Sequence, residues 1–271
     1  MSFPYKKVAV FGATSGIGFA LAERLIENNV FVIAIGRRKE NLAQLVQKHG
    51  HDKVQASPFD ITQLDSIPNF VINLTSTHPD LDLIFLNSGI QRSVDFSKPD
   101  AVDLDVIQQE FTTNYLAPVA FTKAFMPFLL KRSEEGKTSG ILFTTSGLAL
   151  VPMARCPNYC ATKAAMHSFI LTLREQLRDT KVNVIELYPP AVQTELHDPK
   201  HQPNMKGRSN FGMPLDEFTD EAWKGLTEGK DQIPVGMAKN AFDTFEVKKQ
   251  EMFNGMAMQM RKLEEEWANK Q

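Results

Sequence analysis

Tyr159 and Lys163 stand four positions apart in the run Tyr159-Cys160-Ala161-Thr162-Lys163. On a helix the two side chains project from one face. A phenol titrates near 10, and an ammonium beside it favours the phenolate, so the pair is suited to passing a proton at neutral pH. The spacing alone is common, and a half-exposed tyrosine beside a solvated lysine is the plain alternative. Upstream lies Gly12-Ala13-Thr14-Ser15-Gly16-Ile17-Gly18, directly after a short apolar run. A strand entering a Gly-rich turn and then a helix lets backbone N–H groups face an anion, although this spacing is not G-x-G-x-x-G and a tight connection alone would also use it. The second apolar run closes on Gly36-Arg37-Arg38, with no carboxylate. An acidic residue there grips a ribose 2′-hydroxyl, whereas arginine accommodates a 2′-phosphate. Arg37 is placed for a bidentate phosphate contact, and Arg38 is either a second contact or a solvated charge. The pattern favours NADP(H) over NAD(H).

These residues need elements to hold them. Apolar runs at 8–11, 30–35, 83–86, 141–145 and 182–187, with a shorter one at 54–56, alternate with helical periodicity near 16–26, 40–48, 64–75, 104–131 and 156–178. Continuous apolar strands alternating with helices predict a doubly wound parallel α/β sheet of the Rossmann type, about seven strands in one domain with helices on both faces. Residues 1–237 form that unit. Within it, 191–218 lose periodicity and carry Pro199, Pro203, Gly207, Gly212 and Pro214, as a long functional loop would. Thr219-Asp220-Glu221 reads as an N-cap opening the next helix, and 232–236 as an edge strand. Residues 238–271 read as a helical tail whose Phe253, Met256, Met260, Leu263 and Trp267 must bury against the core, a partner subunit or substrate. Core packing is the default expectation.

Composition narrows the class. At 271 residues with 42% hydrophobic and 23% charged residues the chain can bury one sizeable core, and a net charge of -2 offers no field for nucleic acid. No apolar run reaches the ~18 residues a bilayer span needs, and no signal segment precedes the first strand, so a soluble cytoplasmic protein is expected. Cys156 and Cys160 cannot build a disulfide framework and read as packing residues in a reducing compartment.

Five motifs in order, Gly12-x-x-x-Gly16-x-Gly18, Asn87-x-Gly89, Asn114, Ser146 and Tyr159-x-x-x-Lys163, make residues 6–237 resemble a short-chain dehydrogenase/reductase of the compact single-domain branch. Glu186-Leu187-Tyr188-Pro189-Pro190-Ala191-Val192 is similar to a sub-branch whose bacterial members bear a D-alanine–teichoic-acid label. The resemblance implies that Tyr159 protonates a carbonyl oxygen, that Lys163 holds the nicotinamide ribose and lowers the tyrosine pKa, and that Ser146 bonds the substrate oxygen. It implies further that Asn114 anchors a water leading to Lys163, that Asp60 contacts adenine, and that Asn87 and Gly89 line the cofactor site with Thr14, Ser15 and Ile17 of the turn. Pro189, Val192 and Thr194 match the segment beside the nicotinamide carboxamide. Homodimers or homotetramers through 104–131 and 156–178 are implied as well. Phe11, Leu86, Ser88 and Pro190 depart from the family pattern without removing a catalytic group.

The expected activity is an NADPH-dependent carbonyl reductase, or alcohol dehydrogenase in reverse, on a small or medium organic substrate. An imine or enone reductase, or a non-catalytic NADP(H)-binding sensor or scaffold, are the alternatives. A pure binder needs no proton donor, which weighs against the last. His197 and His201 stand at a ligand spacing but lack cysteine or a carboxylate set, so no metal site is expected. His167 reads as a satisfied structural histidine.

Overall fold

The computed structural model describes residues 3–200, 202, 205–206 and 211–268. Seven parallel strands form one sheet: β1 (Lys7–Phe11), β2 (Phe31–Gly36), β3 (Val54–Pro58), β4 (Leu83–Leu86), β5 (Ser139–Thr144), β6 (Val182–Tyr188) and β7 (Gln232–Pro234), in the spatial order β3-β2-β1-β4-β5-β6-β7. The order reverses between β1 and β4. At such a switch point two crossovers leave in opposite directions and open a crevice at the carboxyl ends of the strands.

The central strands are apolar on both sides because helices cover both sides. Along β1, Val8 and Val10 enter one core with Leu21 and Leu25 of α1 (Gly16–Glu27), Leu42 of α2 (Lys39–His49) and Phe218 of α7 (Leu215–Thr227). Ala9 and Phe11 enter the opposite core with Val71 of α3 (Ile67–Thr77), Phe121 and Phe125 of α5 (Ala117–Glu134), and Met166 and Ile170 of α6 (Pro157–Gln176). Phe11, where the family pattern has threonine, is 1% exposed, with its ring centroid 4.4 Å from that of Phe121. A bracing hydrogen bond is thereby exchanged for aromatic packing.

Three sequence expectations need correction. The periodicity over 104–131 is one helical run in register but not one α-helix: α4 (Leu104–Phe111) passes through a π-turn at Thr112–Leu116 into α5. The helix after the long loop starts at Leu215, with Pro214 at its N-cap and Asp216 and Glu217 in its first turn. Thr219 is interior, its hydroxyl donating to Leu215 O at 2.6 Å. The tail helix, α8 (Ala238–Ala241) running through a π-turn at Phe242–Glu246 into α9 (Val247–Ala268), does not bury its apolar stripe in the core. No α9 residue is buried, and Met256, Leu263 and Trp267 are 65%, 43% and 62% exposed. The helix is held instead along another face, by Glu246, by Gln250 bonded to Gln232, and by Arg261 against Glu175.

Among the described residues no helix is long and apolar enough to cross a membrane.

Candidate active site

A cleft of about 1470 Å3 opens over the carboxyl ends of β1, β4, β5 and β6. The Gly-rich turn forms its floor. Gly12 and Gly16 take φ +82° and +54°, left-handed values that a side chain would strain. A Cβ on Gly18 would lie 2.3 Å from Gly12 O and 2.5 Å from Asn87 Nδ2, so only glycine lets α1 approach β1 this closely. Ser15, the N-cap of α1, makes no side-chain cap, and the first turn of α1 contains no acid. The amino end of α1 is therefore left to attract an anion at the crevice.

Around that end the cofactor candidates gather. Thr14, Ser15, Ile17, Arg37, Arg38, Asp60, Asn87, Gly89, Pro189, Val192 and Thr194 all line the cleft. Arg38 lies over the turn. Its Nε and Nη2 donate to Thr14 Oγ1 at 3.1 and 2.9 Å, Nη2 reaches Ser15 Oγ in a shorter contact, and Nη1 meets Glu195 at 2.6 Å. Of the two arginines, Arg38 is thus the engaged one. Arg37 is 63% exposed, with Nη1 3.8 Å from Asp60 Oδ2. Asp60 Oδ1 accepts Thr62 N–H at 3.0 Å and the Thr62 hydroxyl at 2.8 Å, fixing the turn after β3. Asn87 Oδ1 accepts the Thr144 hydroxyl at 3.0 Å, joining β4 to β5. Thr194 sits against Gly16, where an added Cβ would meet Thr194 Cβ at 3.2 Å. The loop after β6 is stitched at its base: Val192 pairs with Met213, Gln193 N–H donates to Met213 O at 2.9 Å, and Met213 N–H donates to Ala191 O at 2.8 Å.

Helix α6 carries the phenol and the amine that the sequence paired. Tyr159 and Lys163 are 5% and 3% exposed and both line the cleft. Lys163 Nζ donates to Thr144 O at 2.8 Å and lies 5.6 Å from the Tyr159 ring centroid. Ser146 caps the 3-10 turn at Gly147–Ala149, accepting Leu148 N–H at 3.1 Å, and lines the cleft beside Tyr159. Asn114 occupies the π-turn. Its Oδ1 accepts Ile90 N–H at 2.9 Å, while Nδ2 donates to Ile90 O at 2.8 Å and to Thr162 Oγ1 at 3.1 Å. A π-turn shifts the helix face by a fraction of a residue, and here it aims an amide inward. Asn114 Oδ1 and Lys163 Nζ converge on Gly89, whose added Cβ would stand 3.4 and 3.6 Å from them.

The electrostatics differ from the simple pair drawn from sequence. Burial pushes the Tyr159 phenol upward, against the Ser146 hydrogen bond, and no lowering by Lys163 emerges. Burial also lowers Lys163 to about 8, opposed by the charges of Glu186 and Glu110. The site therefore holds a protonated phenol beside an amine that titrates near neutrality. Neither glutamate was singled out from sequence. Glu110 is fully buried and accepts Arg92 N–H at 2.8 Å and Asn158 Nδ2 at 2.6 Å. Glu186, an acid inside the apolar run of β6, accepts the Thr145 and Tyr188 hydroxyls, each at 2.7 Å. It also lies 3.1 Å from His167 Nδ1, and His167 Nε2 lies 2.9 Å from Glu246, an ion-pair contact without hydrogen-bond alignment. A lone acid in a buried strand was the signal available for Glu186; Glu110 gave none.

His197 is partly buried beside Phe211, its ring centroid 5.4 Å away, and His201 lies outside the described residues. Among the described residues no three His, Cys, Asp or Glu side chains cluster as a metal site. Cys156 and Cys160 are free, buried thiols packed with Tyr159.

Comparison with known proteins agrees with this geometry. The sequence profile of the short chain dehydrogenase family matches residues 6–204. The chain is 38% identical to the oxidoreductase DltE of Bacillus subtilis (strain 168) over 235 residues, covering 86% of this chain and 89% of that protein. A short-chain dehydrogenase from Sphingobium yanoikuyae in complex with NADPH superimposes with a TM-score of 0.77 at 22% identity, covering 92% of this chain and 95% of that one. One from Burkholderia phymatum in complex with NAD does so with a TM-score of 0.75 at 18% identity, covering 86% and 89%. The two structural likenesses speak for the fold, and the first two findings for the lineage: this chain belongs to the short-chain dehydrogenase/reductase family of oxidoreductases.

Proposed function

We propose that this protein is an NADPH-dependent reductase of carbonyl compounds, reversible toward the alcohol, with Tyr159 as the general acid. The observation that carries it is the convergence of a buried phenol, a serine hydroxyl and a buried lysine on one cleft that also contains the Gly-rich turn.

The nicotinamide, when bound, supplies the hydride that reaches the carbonyl carbon. The protein's part is to polarise the C=O and deliver one proton to its oxygen. Ser146 and Tyr159 both offer an O–H to that oxygen. As negative charge develops there, the Tyr159 proton moves onto it, and the Ser146 hydroxyl favours the phenolate left behind. Lys163, held by Thr144 O, can return a proton to the phenolate. Asn114, locked between Ile90 and Thr162, borders the same point and would fix a water that reprotonates Lys163. Arg37 and Arg38 would take the 2′-phosphate, which favours NADP(H). For Arg38 this means exchanging Glu195 for the phosphate. Self-association through α4, α5 and α6 belongs to the same reading.

The test is nicotinamide absorbance over a panel of aldehydes and ketones. Wild type should consume NADPH, and Tyr159→Phe should lose about a hundred- to ten-thousandfold in kcat with NADPH affinity retained. Undiminished turnover by Tyr159→Phe would refute the assignment. An inert wild type that binds NADPH tightly would favour a sensor instead.

A further inference from the structure

Arg155 lies in the turn leading into α6 and lines the cleft. Its guanidinium is held by neutral oxygens only. Nη1 donates to Ser93 Oγ at 3.2 Å and to Gln202 Oε1 in a shorter contact, and Nη2 donates to Gln91 Oε1 at 3.3 Å. The two glutamines are 2% and 0% exposed and bonded to each other, Gln202 Nε2 donating to Gln91 Oε1 at 3.1 Å. No ion pair among the described residues includes Arg155. A guanidinium has five N–H donors, so these three contacts leave Nε–H and one N–H of Nη2. Neither nitrogen is sealed from solvent without a partner. The residual fork is the one that takes a planar oxyanion through two parallel hydrogen bonds.

The surrounding charge points the same way. Asp60 and Glu195 in the cleft wall are matched to Arg37 and Arg38. Beyond them stand Arg92, Arg155 and Lys200 with Asp198 as their acidic neighbour, and the Arg92 guanidinium donates only to the Gln91 carbonyl, at 2.8 Å. Burial and the charge of Arg155 push His197 below its ordinary value. A cationic side chain aimed by two buried amides, in a cleft with surplus positive charge, is built to meet a negative ligand.

We propose that Arg155 is a specificity residue that binds an oxyanion, a carboxylate or a phosphate ester, carried by the carbonyl substrate. This rests on the reductase reading and names its substrate class. Steady-state kinetics with two matched pairs tests it and separates the anions: acetoacetate against methyl acetoacetate, and dihydroxyacetone phosphate against dihydroxyacetone. Wild type should prefer the anion of at least one pair by about ten- to a hundredfold in kcat/KM. Arg155→Met should erase that preference mainly through KM, leaving the neutral partners within about twofold, and Arg155→Lys should restore part of it. A merely structural clamp would instead lower all four substrates together. Wild type that reduces the neutral compounds without favouring either anion, or Arg155→Met that keeps the preference, overturns the inference and leaves the reductase reading intact. If none of the four is reduced, calorimetric binding of 3-hydroxybutanoate and its methyl ester to the NADP+-saturated protein decides it, and equal affinities would overturn it.

A second, independent observation concerns α9. Phe245, Met252, Met256, Met260, Leu263 and Trp267 form a contiguous apolar stripe exposed by 43% to 67%. The helix carries Lys248, Lys249, Arg261 and Lys262 against Glu251, Glu264, Glu265 and Glu266, so it has no net charge to draw it to an anionic membrane. Its charge is instead polar along the axis. Lys248 and Lys249 lie at one end, and three glutamates occupy the last turn, at the negative end of the helix dipole, where they are unfavourable. Lys248 and Glu266 are eighteen residues apart, five full turns, and so flank the stripe on the same side. Two copies laid antiparallel would bring each Lys248 to the other copy's Glu266 and close the stripes on each other, as an isologous two-fold contact requires. We infer that α9 pairs with the α9 of a second copy of this chain. Sedimentation of the full-length protein across concentration should show Lys248→Glu and Glu266→Lys each weakening association at least tenfold and the double exchange restoring it. Association indifferent to all three, a monomeric wild type, or binding of the protein to neutral lipid vesicles in place of self-association would overturn it.

Discussion

Raising the pH should detach the His167 cluster before it unfolds the rest. His167, on α6, lies between Glu186 of β6 and Glu246 of the tail, and its side chain is 1% exposed. Burial alone would lower its pKa; hydrogen bonds and the charges of the two carboxylates override it and raise the value to about 9. Against an ordinary value near 6.5 this favours the charged imidazolium by about 3 kcal/mol, at ~1.4 kcal/mol per pH unit. A raised histidine contributes stability that is complete below the unfolded value and is lost as pH climbs through about 9. Glu246 is held below its ordinary value despite burial, by the His167 charge beside it and the hydrogen bond from Gln250, so its own share is present above the usual carboxylate range and fades on acidification. Urea unfolding at intervals from pH 6 to 9.5 is the assay. Wild type should lose about 2 to 3 kcal/mol over that span more than His167→Gln does, and Glu246→Gln should move the loss to lower pH. Direct titration of the His167 ring by NMR should place its midpoint above 8. Parallel profiles for wild type and His167→Gln, or a midpoint at the ordinary value, would refute the account of the cluster as a charged clamp.

Other expectations follow from the same geometry. Lys163 is buried and lowered to about 8, so its ammonium burdens the fold at neutral pH and the burden lifts above that value. Lys163→Met should therefore raise the thermal midpoint at pH 7 by several degrees while abolishing turnover, and an unchanged or lower midpoint would contradict the burial argument. Gly18→Ala places a Cβ 2.3 Å from a backbone oxygen and should cost about 2–4 kcal/mol together with nucleotide affinity, whereas Gly89→Ala meets contacts of 3.4 and 3.6 Å and should fold normally by calorimetry. Arg37→Ala should lower NADPH affinity about tenfold or more with NADH affinity kept, measured by fluorescence titration. Glu195→Gln should free Arg38 and tighten NADPH, and an unaltered NADPH/NADH ratio in both variants would reject the 2′-phosphate assignment.

What the chain's order alone determined is what short-range physics can carry. Strands β1, β2 and β4 were legible as apolar runs because helices cover both their sides. The Gly12–Gly18 turn was legible because only glycine takes its positive φ and tolerates its close approach. Tyr159 and Lys163 were legible as a pair because one helical turn separates them. Tertiary structure decided the rest. The π-turn that aims Asn114 is a local defect without a periodicity signal, and the start of α7 at Pro214 was hidden by a more conventional cap at Thr219. Whether Lys163 lowers Tyr159 depends on how deeply both are buried, a property of the assembled sheet rather than of spacing. Glu110 and Glu186 act together on Lys163 from separate elements, Glu246 reaches His167 on the same helix, and Arg155 is aimed by glutamines 64 and 47 positions away. Pairwise electrostatics falls off with distance in space, not along the chain, so these partners exist only once the fold has brought them together.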